Sequence, residues 1–146
     1  MRNAIVFLDS GDTLVDESTE VRIKGDVVDH AEFFPGIKEV LFQLKNAGFR
    51  VALVADGLVE SFDNIYRQHE MESYFEVRAI SETVGVCKPA GEMFKTAMEK
   101  MNLEEADKKY IIMIGNNLER DIVGANRMGI TSVLAGYSPR YRMKPE

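Results

Sequence analysis

Four short apolar runs are each followed by residues able to handle an anionic group. Ile5-Val6-Phe7-Leu8 leads into Asp9-Ser10-Gly11-Asp12-Thr13, and Val51-Ala52-Leu53-Val54 into Ala55-Asp56-Gly57. Val77-Arg78-Ala79-Ile80 is followed, after a loop, by Gly85-Val86-Cys87-Lys88-Pro89, and Ile111-Ile112-Met113-Ile114 by Gly115-Asn116-Asn117-Leu118-Glu119-Arg120-Asp121. A carboxylate at such a place can attack phosphorus, provided that a lysine and a divalent cation neutralise the charge that otherwise repels an anionic substrate. Magnesium takes hard oxygen ligands, so Asp9, the backbone carbonyl of Gly11, Asn116 and Asp121 make an octahedral set completed by water. Backbone N–H groups around Ser10, Gly11 and Asp12, and at Asp56 and Gly57, would hold phosphoryl oxygens as helix N-termini and nests do.

These residues meet only if the runs are strands of one sheet. The runs, with a fifth at Ser132-Val133-Leu134, mostly lack polar alternation, as strands covered on both faces do, and segments of helical period separate them. That alternation predicts parallel βαβ units, whose ligands bind outside the carboxyl ends of the strands. Pro35-Gly36 opens a helix in which Ile37, Val40, Leu41 and Leu44 recur at i, i+3, i+4 and i+7, and Gly48 is placed to stop it. Residues 58–69 form the next helix, burying Phe62, Ile65 and Tyr66. Residues 91–101 carry Phe94, Ala97, Met98 and Met101 on one face, and residues 119–128 end at Gly129. Residues 15–34 are polar and poorly periodic, which predicts a small flap or hairpin over one end of the sheet, too short for a cap domain.

At the strand-end residues the chain resembles the haloacid dehalogenase superfamily, over nearly its whole length. The first motif of that family, an apolar strand, a nucleophilic Asp, one residue, usually a second Asp, then Gly-Thr-Leu, corresponds to Phe7-Leu8-Asp9-Ser10-Gly11-Asp12-Thr13-Leu14. The second, a strand ending in Ser or Thr, falls on Ala55-Asp56-Gly57 as a phosphate-binding segment. The third, a lysine commonly before Pro, falls on Lys88-Pro89, and the fourth on Gly115-Asn116 and Asp121. The resemblance implies a three-layer α/β/α sandwich, a HAD-like Rossmannoid with a central parallel five-stranded sheet ordered five, four, one, two, three. It implies one domain over residues 1–146 with no large cap.

The activity implied is magnesium-dependent hydrolysis of a phosphomonoester. Asp9 would attack phosphorus, water would hydrolyse the aspartyl-phosphate, and Lys88 and the metal would neutralise charge. Gly11 stands where the acid/base Asp is usual, with Asp12 one place later, as if the pair were exchanged. A regular strand would aim Asp12 away from Asp9, and only a turn at Gly11 would swing it back into that role. Ala55 lacks the usual hydroxyl, and Asn116 keeps an oxygen but loses a charge. These changes leave open a degenerate member that binds a phosphorylated ligand or protein partner without turnover. Dehalogenation is disfavoured, because it needs a buried halide pocket that a capless chain does not readily supply. An open site of this kind serves larger substrates or borrows a cover from a second copy, so a homo-oligomer is an expected partner beside the phosphorylated substrate.

Composition narrows the alternatives. The 146 residues suit one ordinary domain, and a hydrophobic fraction of 45% suffices for a core. Eighteen Lys and Arg against 24 Asp and Glu give a net charge of −6, so no cationic field gathers nucleic acid or anionic lipid. No apolar run approaches a membrane span, and no n-region and h-region open the chain, which predicts a soluble, cytoplasmic protein. The single cysteine, Cys87, excludes an internal disulfide and every multi-cysteine zinc site, and reads as an inert, partly buried residue. His30 and His69 show no partner in the sequence, and the methionines read as core filler. Arg140, Arg142 and Lys144 make residues 137–146 a basic, solvated tail.

Overall fold

A computed structural model describes residues 3–138; the basic residues Arg140, Arg142 and Lys144 lie outside the described residues. In chain order the elements are β1 (Ile5–Leu8), a hairpin of β2 (Val15–Lys24) and β3 (Val27–Phe33), α1 (Ile37–Asn46), β4 (Arg50–Ala55), α2 (Val59–Gln68) and β5 (Val77–Ile80). The short α3 (Ser81–Val84), α4 (Gly91–Lys100), a 3-10 turn (Glu105–Tyr110), β6 (Ile111–Gly115), a π-helical turn (Leu118–Ile122), α5 (Val123–Met128) and β7 (Thr131–Leu134) complete it. Five strands form one sheet in the order β5-β4-β1-β6-β7, and every pairing is parallel. This is the expected order.

The central strands are apolar on both sides because both sides are covered. Val6, Leu8, Val51 and Leu53 face Leu41 of α1 and Phe62, Ile65 and Tyr66 of α2. Ile5, Phe7, Ala52 and Val54 face Met93, Phe94, Ala97 and Met98 of α4 and Ala125 of α5. Successive strand residues alternate between the two cores, as the pleat demands, and three layers result. Truncating one of these large buried side chains, Phe7 for instance, would cost about 3–5 kcal/mol.

The expected apolar stripe of α1 is only partly used. Leu41 is buried and Ile37 and Leu44 are half-buried, but Val40 is 48% exposed, as is Phe42 at 46%. The helix rests on the core mainly through Leu41, so its outer apolar residues stay in water. The histidines do find partners. Nε2 of His69 lies 2.8 Å from the Ala31 carbonyl, and Nδ1 of His30 lies 2.8 Å from Asp29 Oδ2.

Residues 15–34 form an antiparallel hairpin with register shifts between Asp16 and Val21, between Val21 and Arg22, and between Arg22 and Lys24. Each shift breaks the period-two alternation, which explains why two strands of this length read as unpatterned. The free edge of β3 is closed by side chains of α2. Ser61 Oγ accepts the Val28 N–H at 2.9 Å, Asn64 Nδ2 donates to the Val28 carbonyl at 3.0 Å, and Gln68 Oε1 accepts the Ala31 N–H at 3.0 Å. These α2 residues lie about one turn apart, on one face, so a helix serves as the next strand would. At the opposite end of the sheet Arg50 grips Glu76 with two hydrogen bonds and the Met101 carbonyl with a third at 2.9 Å, tying β4 to the segment before β5. That hydrogen bond from Arg50 holds the Glu76 carboxyl below its usual range.

Candidate active site

The carboxyl ends of β1, β4 and β6 open into a cavity of about 470 Å³ whose far wall is the β2–β3 hairpin. Asp9 follows β1 directly, and its N–H still pairs with the Ile114 carbonyl at 3.1 Å, which continues the sheet pairing as far as Asp9. Lys88 reaches in from the loop between α3 and α4 and is 2% exposed. Its ammonium donates to Asp9 Oδ1 at 3.0 Å, to Asp121 Oδ1 at 2.5 Å and to the Val54 carbonyl at 2.7 Å. All three protons are used. The Lys88 backbone is fixed as well, because Asp56 Oδ1 accepts its N–H at 2.9 Å. Asp56 therefore acts through its carboxylate, and its second oxygen faces Arg120 at 3.4 Å.

Burial alone would lower the lysine's proton affinity, but the charges of Asp9, Asp121 and Asp56 outweigh it and raise the pKa above the ordinary value. Lys88 is a fixed cation at any physiological pH. For Asp121, 1% exposed, burial dominates over the opposing charge of Lys88, and with the charge of Asp9 it leaves the carboxyl above its usual range. Two carboxylates, the buried Asp121 and the partly buried Asp9, thus depend on one buried ammonium, an arrangement that is costly to break.

Local structure explains how Asp121 arrives there. Asn117 caps the π-helical turn, its Oδ1 accepting the N–H groups of Glu119 at 3.0 Å and Arg120 at 3.1 Å. Asn is a good residue for that place, and such turns favour functional sites. The Asn117 N–H in turn donates to Asp121 Oδ2 at 3.1 Å. Gly115 makes room: a Cβ there would lie 2.2 Å from Asp121 Oδ2. Thr13, given no role of its own by the sequence, donates from Oγ1 to Asp9 Oδ2 at 3.1 Å and also faces Asn116 Oδ1 at 3.4 Å. Its hydroxyl at a strand-end turn was the available signal.

Several expected residues stand elsewhere. Asp12 is buried in a left-handed turn with φ 56°, its Oδ1 accepts the Glu17 N–H at 3.0 Å, and it does not line the cavity. The turn that was to swing it toward Asp9 instead points it at the start of the hairpin. Ala55 is buried in the core and offers nothing to the cavity. Two of the expected phosphate donors are engaged inside the fold: the Gly57 N–H by Ser81 Oγ at 2.8 Å and the Asp12 N–H by the Val15 carbonyl at 2.6 Å. Ser10 lines the cavity but its hydroxyl is 2.8 Å from the Tyr66 hydroxyl, anchoring β1 to α2. Cys87, expected partly buried, is exposed, because the chain turns Lys88 inward and its neighbour outward.

Asp9, Gly11, Asn116 and Asp121 all line the cavity, a set of oxygen donors with two carboxylates, which fits a hard divalent cation such as magnesium. Among the described residues no group of three or more His, Cys, Asp or Glu side chains could hold a metal ion, so an amide and a main-chain oxygen would have to complete the set.

The chain is similar to known proteins in sequence and in fold. A sequence model of haloacid dehalogenase-like hydrolases matches residues 11–135. The chain belongs to this family. The match opens just past Asp9, whose place rests on the end of β1 and the contact with Lys88. A glyceraldehyde 3-phosphate phosphatase of Pyrococcus abyssi is 35% identical over 104 residues, which are 70% of this chain and 42% of that protein. The chain thus spans less than half the length of that relative. The HAD-hydrolase YfnB of Bacillus subtilis, in a structure described as bound to magnesium, superposes with a TM-score of 0.79 at 15% identity, covering 100% of this chain and 90% of that one. A HAD phosphatase of Thermococcus onnurineus gives a TM-score of 0.75 at 16% identity, covering 90% and 85%. Both share the fold. Among the described residues no helix is long and apolar enough to cross a membrane.

Proposed function

We propose that this chain hydrolyses a phosphate monoester through an aspartyl-phosphate on Asp9. The observation that carries the reading is the buried Lys88 ammonium, within 3.0 Å of Asp9 and 2.5 Å of Asp121 at the floor of an open cavity. Asp9 Oδ1 is held by Lys88 and Oδ2 by Thr13, so the carboxylate is oriented before a substrate arrives. Attack by one Asp9 oxygen breaks the bond from phosphorus to the ester oxygen, and water then breaks the bond from phosphorus to Asp9. Lys88 supplies a preorganised charge beside the transferring group throughout. Magnesium, held by Asp9, the Gly11 carbonyl, Asn116 and Asp121, would neutralise the non-bridging phosphoryl oxygens.

The relative's substrate, glyceraldehyde 3-phosphate, places small phosphorylated metabolites first in the panel to be tried. The open cavity and the absence of a cap domain among the described residues favour a substrate larger than the phosphoryl group itself, or a second copy as cover. Binding without turnover is the second reading, favoured by the buried Ala55 and by Asp12 lying off the cavity. Purified protein incubated with magnesium and a panel of phosphate esters separates the two. Turnover lost on chelation and in Asp9→Asn is expected. Ester binding without release of phosphate would select the second reading.

A further inference from the structure

We infer that Glu17 is the acid/base carboxylate of this site, taking the place left by Gly11; this rests on the proposed phosphomonoester hydrolysis. A Cβ added to Gly11 would lie 2.2 Å from Glu17 Oε1, 3.1 Å from its Cδ and 3.3 Å from its Cγ. The glutamate head therefore occupies the space into which a side chain at position 11, two residues beyond Asp9, would project. Gly11 itself has no left-handed φ, so its backbone would accept another residue and only the Glu17 carboxylate keeps one out.

The neighbouring residues support that placement. Asp12, in its left-handed turn, accepts the Glu17 N–H at 3.0 Å and so fixes where the glutamate leaves the chain. Asp12 is a positioning residue. Glu17 lines the same cavity as Asp9, Lys88 and Asp121, and it is half-buried, which suits a group that must exchange protons with water. The exchange of Asp and Gly in the first motif is thus compensated. The glycine opens the space, the aspartate anchors the hairpin, and the glutamate supplies the carboxyl group.

The steps balance. As an Asp9 oxygen bonds to phosphorus and the ester P–O bond breaks, the leaving oxygen takes the proton of the Glu17 carboxylic acid and departs as an alcohol. The Glu17 carboxylate then takes a proton from the water that attacks the aspartyl-phosphate. The P–O bond to Asp9 breaks, inorganic phosphate leaves, and Glu17 is again an acid.

Two esters test this. Nitrophenolate leaves without a proton, whereas an alkoxide does not, so p-nitrophenyl phosphate and glycerol 2-phosphate differ in their need for the acid. In Glu17→Gln, first-turnover release of p-nitrophenol should stay within about tenfold of wild type, while alcohol release from glycerol 2-phosphate should fall by about 10²-fold to 10⁴-fold. Because Glu17→Ala empties the space, the double variant Gly11→Asp with Glu17→Ala should regain at least about tenfold of alcohol release over Glu17→Ala alone. Equal first-turnover rates for wild type and Glu17→Gln on both esters, with Asp9→Asn inert, would overturn the role of Glu17 and leave the phosphatase reading standing. An equal loss on both esters, or a wild type that cleaves only p-nitrophenyl phosphate, would also overturn it. A wild type that cleaves neither overturns both readings.

Discussion

Lys88 is itself nearly closed off from water and holds two carboxylates, Asp121 in the interior and Asp9 at the cavity, so its loss should be felt in stability and, on the proposed function, in turnover. Removing it leaves Asp9 and Asp121 facing each other without a cation. Lys88→Ala should therefore lower stability by about 3–5 kcal/mol, as breaking a buried ion pair does. It should also slow turnover by roughly 10²-fold or more, the worth of one preorganised charge at such a site. Denaturant unfolding and phosphate-ester kinetics at a temperature where the variant is folded check the two effects separately. Unchanged stability and turnover would mean that Lys88 is an ordinary lysine. The residues here were unevenly legible. Asp9, Lys88, Asn116 and Asp121 follow strand ends in order, and all of them line the cavity. Glu17 was not legible, because its return over Gly11 depends on a left-handed turn at Asp12 and not on spacing along a strand. The contact of the Asp56 carboxylate was not legible for a similar reason: it meets the Lys88 N–H across 32 positions of sequence.

Among the elements, the β2–β3 hairpin depends on α2. Its backbone edge is satisfied by Ser61, Asn64 and Gln68, so removing one of them leaves a strand N–H or carbonyl to find water. Asn64→Ala and Gln68→Ala should each cost about 1 kcal/mol in urea unfolding, and loosen the hairpin first. Amide exchange at Val28 and Ala31 should quicken more than at Phe7. Uniform exchange across the molecule would show that the hairpin does not open on its own. At the other end of the sheet, the Arg50–Glu76 pair makes stability depend on pH. The folded pKa of Glu76 is below its ordinary 4.5, so its contribution is present above that value and is lost as pH falls through the folded pKa. Both groups are more than a third exposed, so the contribution is no more than about 1 kcal/mol after screening. Glu76→Gln should be less stable than wild type at pH 7, and the two should converge in acid. A difference that persists or widens in acid would contradict this. The helices and sheet strands were legible because their apolar periods are regular. The hairpin was not, because its bulges erase the alternation, and Val40 misled because α1 meets the core along a narrower stripe than its sequence offers.

At the scale of the whole molecule, five parallel strands bring residues that are distant in sequence to one edge, and the β2–β3 hairpin walls the cavity there. The layered architecture was legible from alternating apolar runs and helical periods, whereas the strand order followed from resemblance to the family and not from any local pattern. An open site of this form has consequences for what it admits, but the proposed function rests on one covalent bond between Asp9 and phosphorus. That bond can be observed. Protein mixed with magnesium and p-nitrophenyl phosphate, quenched in acid within a turnover and digested, should yield the peptide containing Asp9 heavier by one phosphoryl group, and Asp9→Asn should yield none. A phosphoryl group on another residue, or rapid hydrolysis with no labelled peptide and an active Asp9→Asn protein, would contradict the assignment of Asp9 as nucleophile.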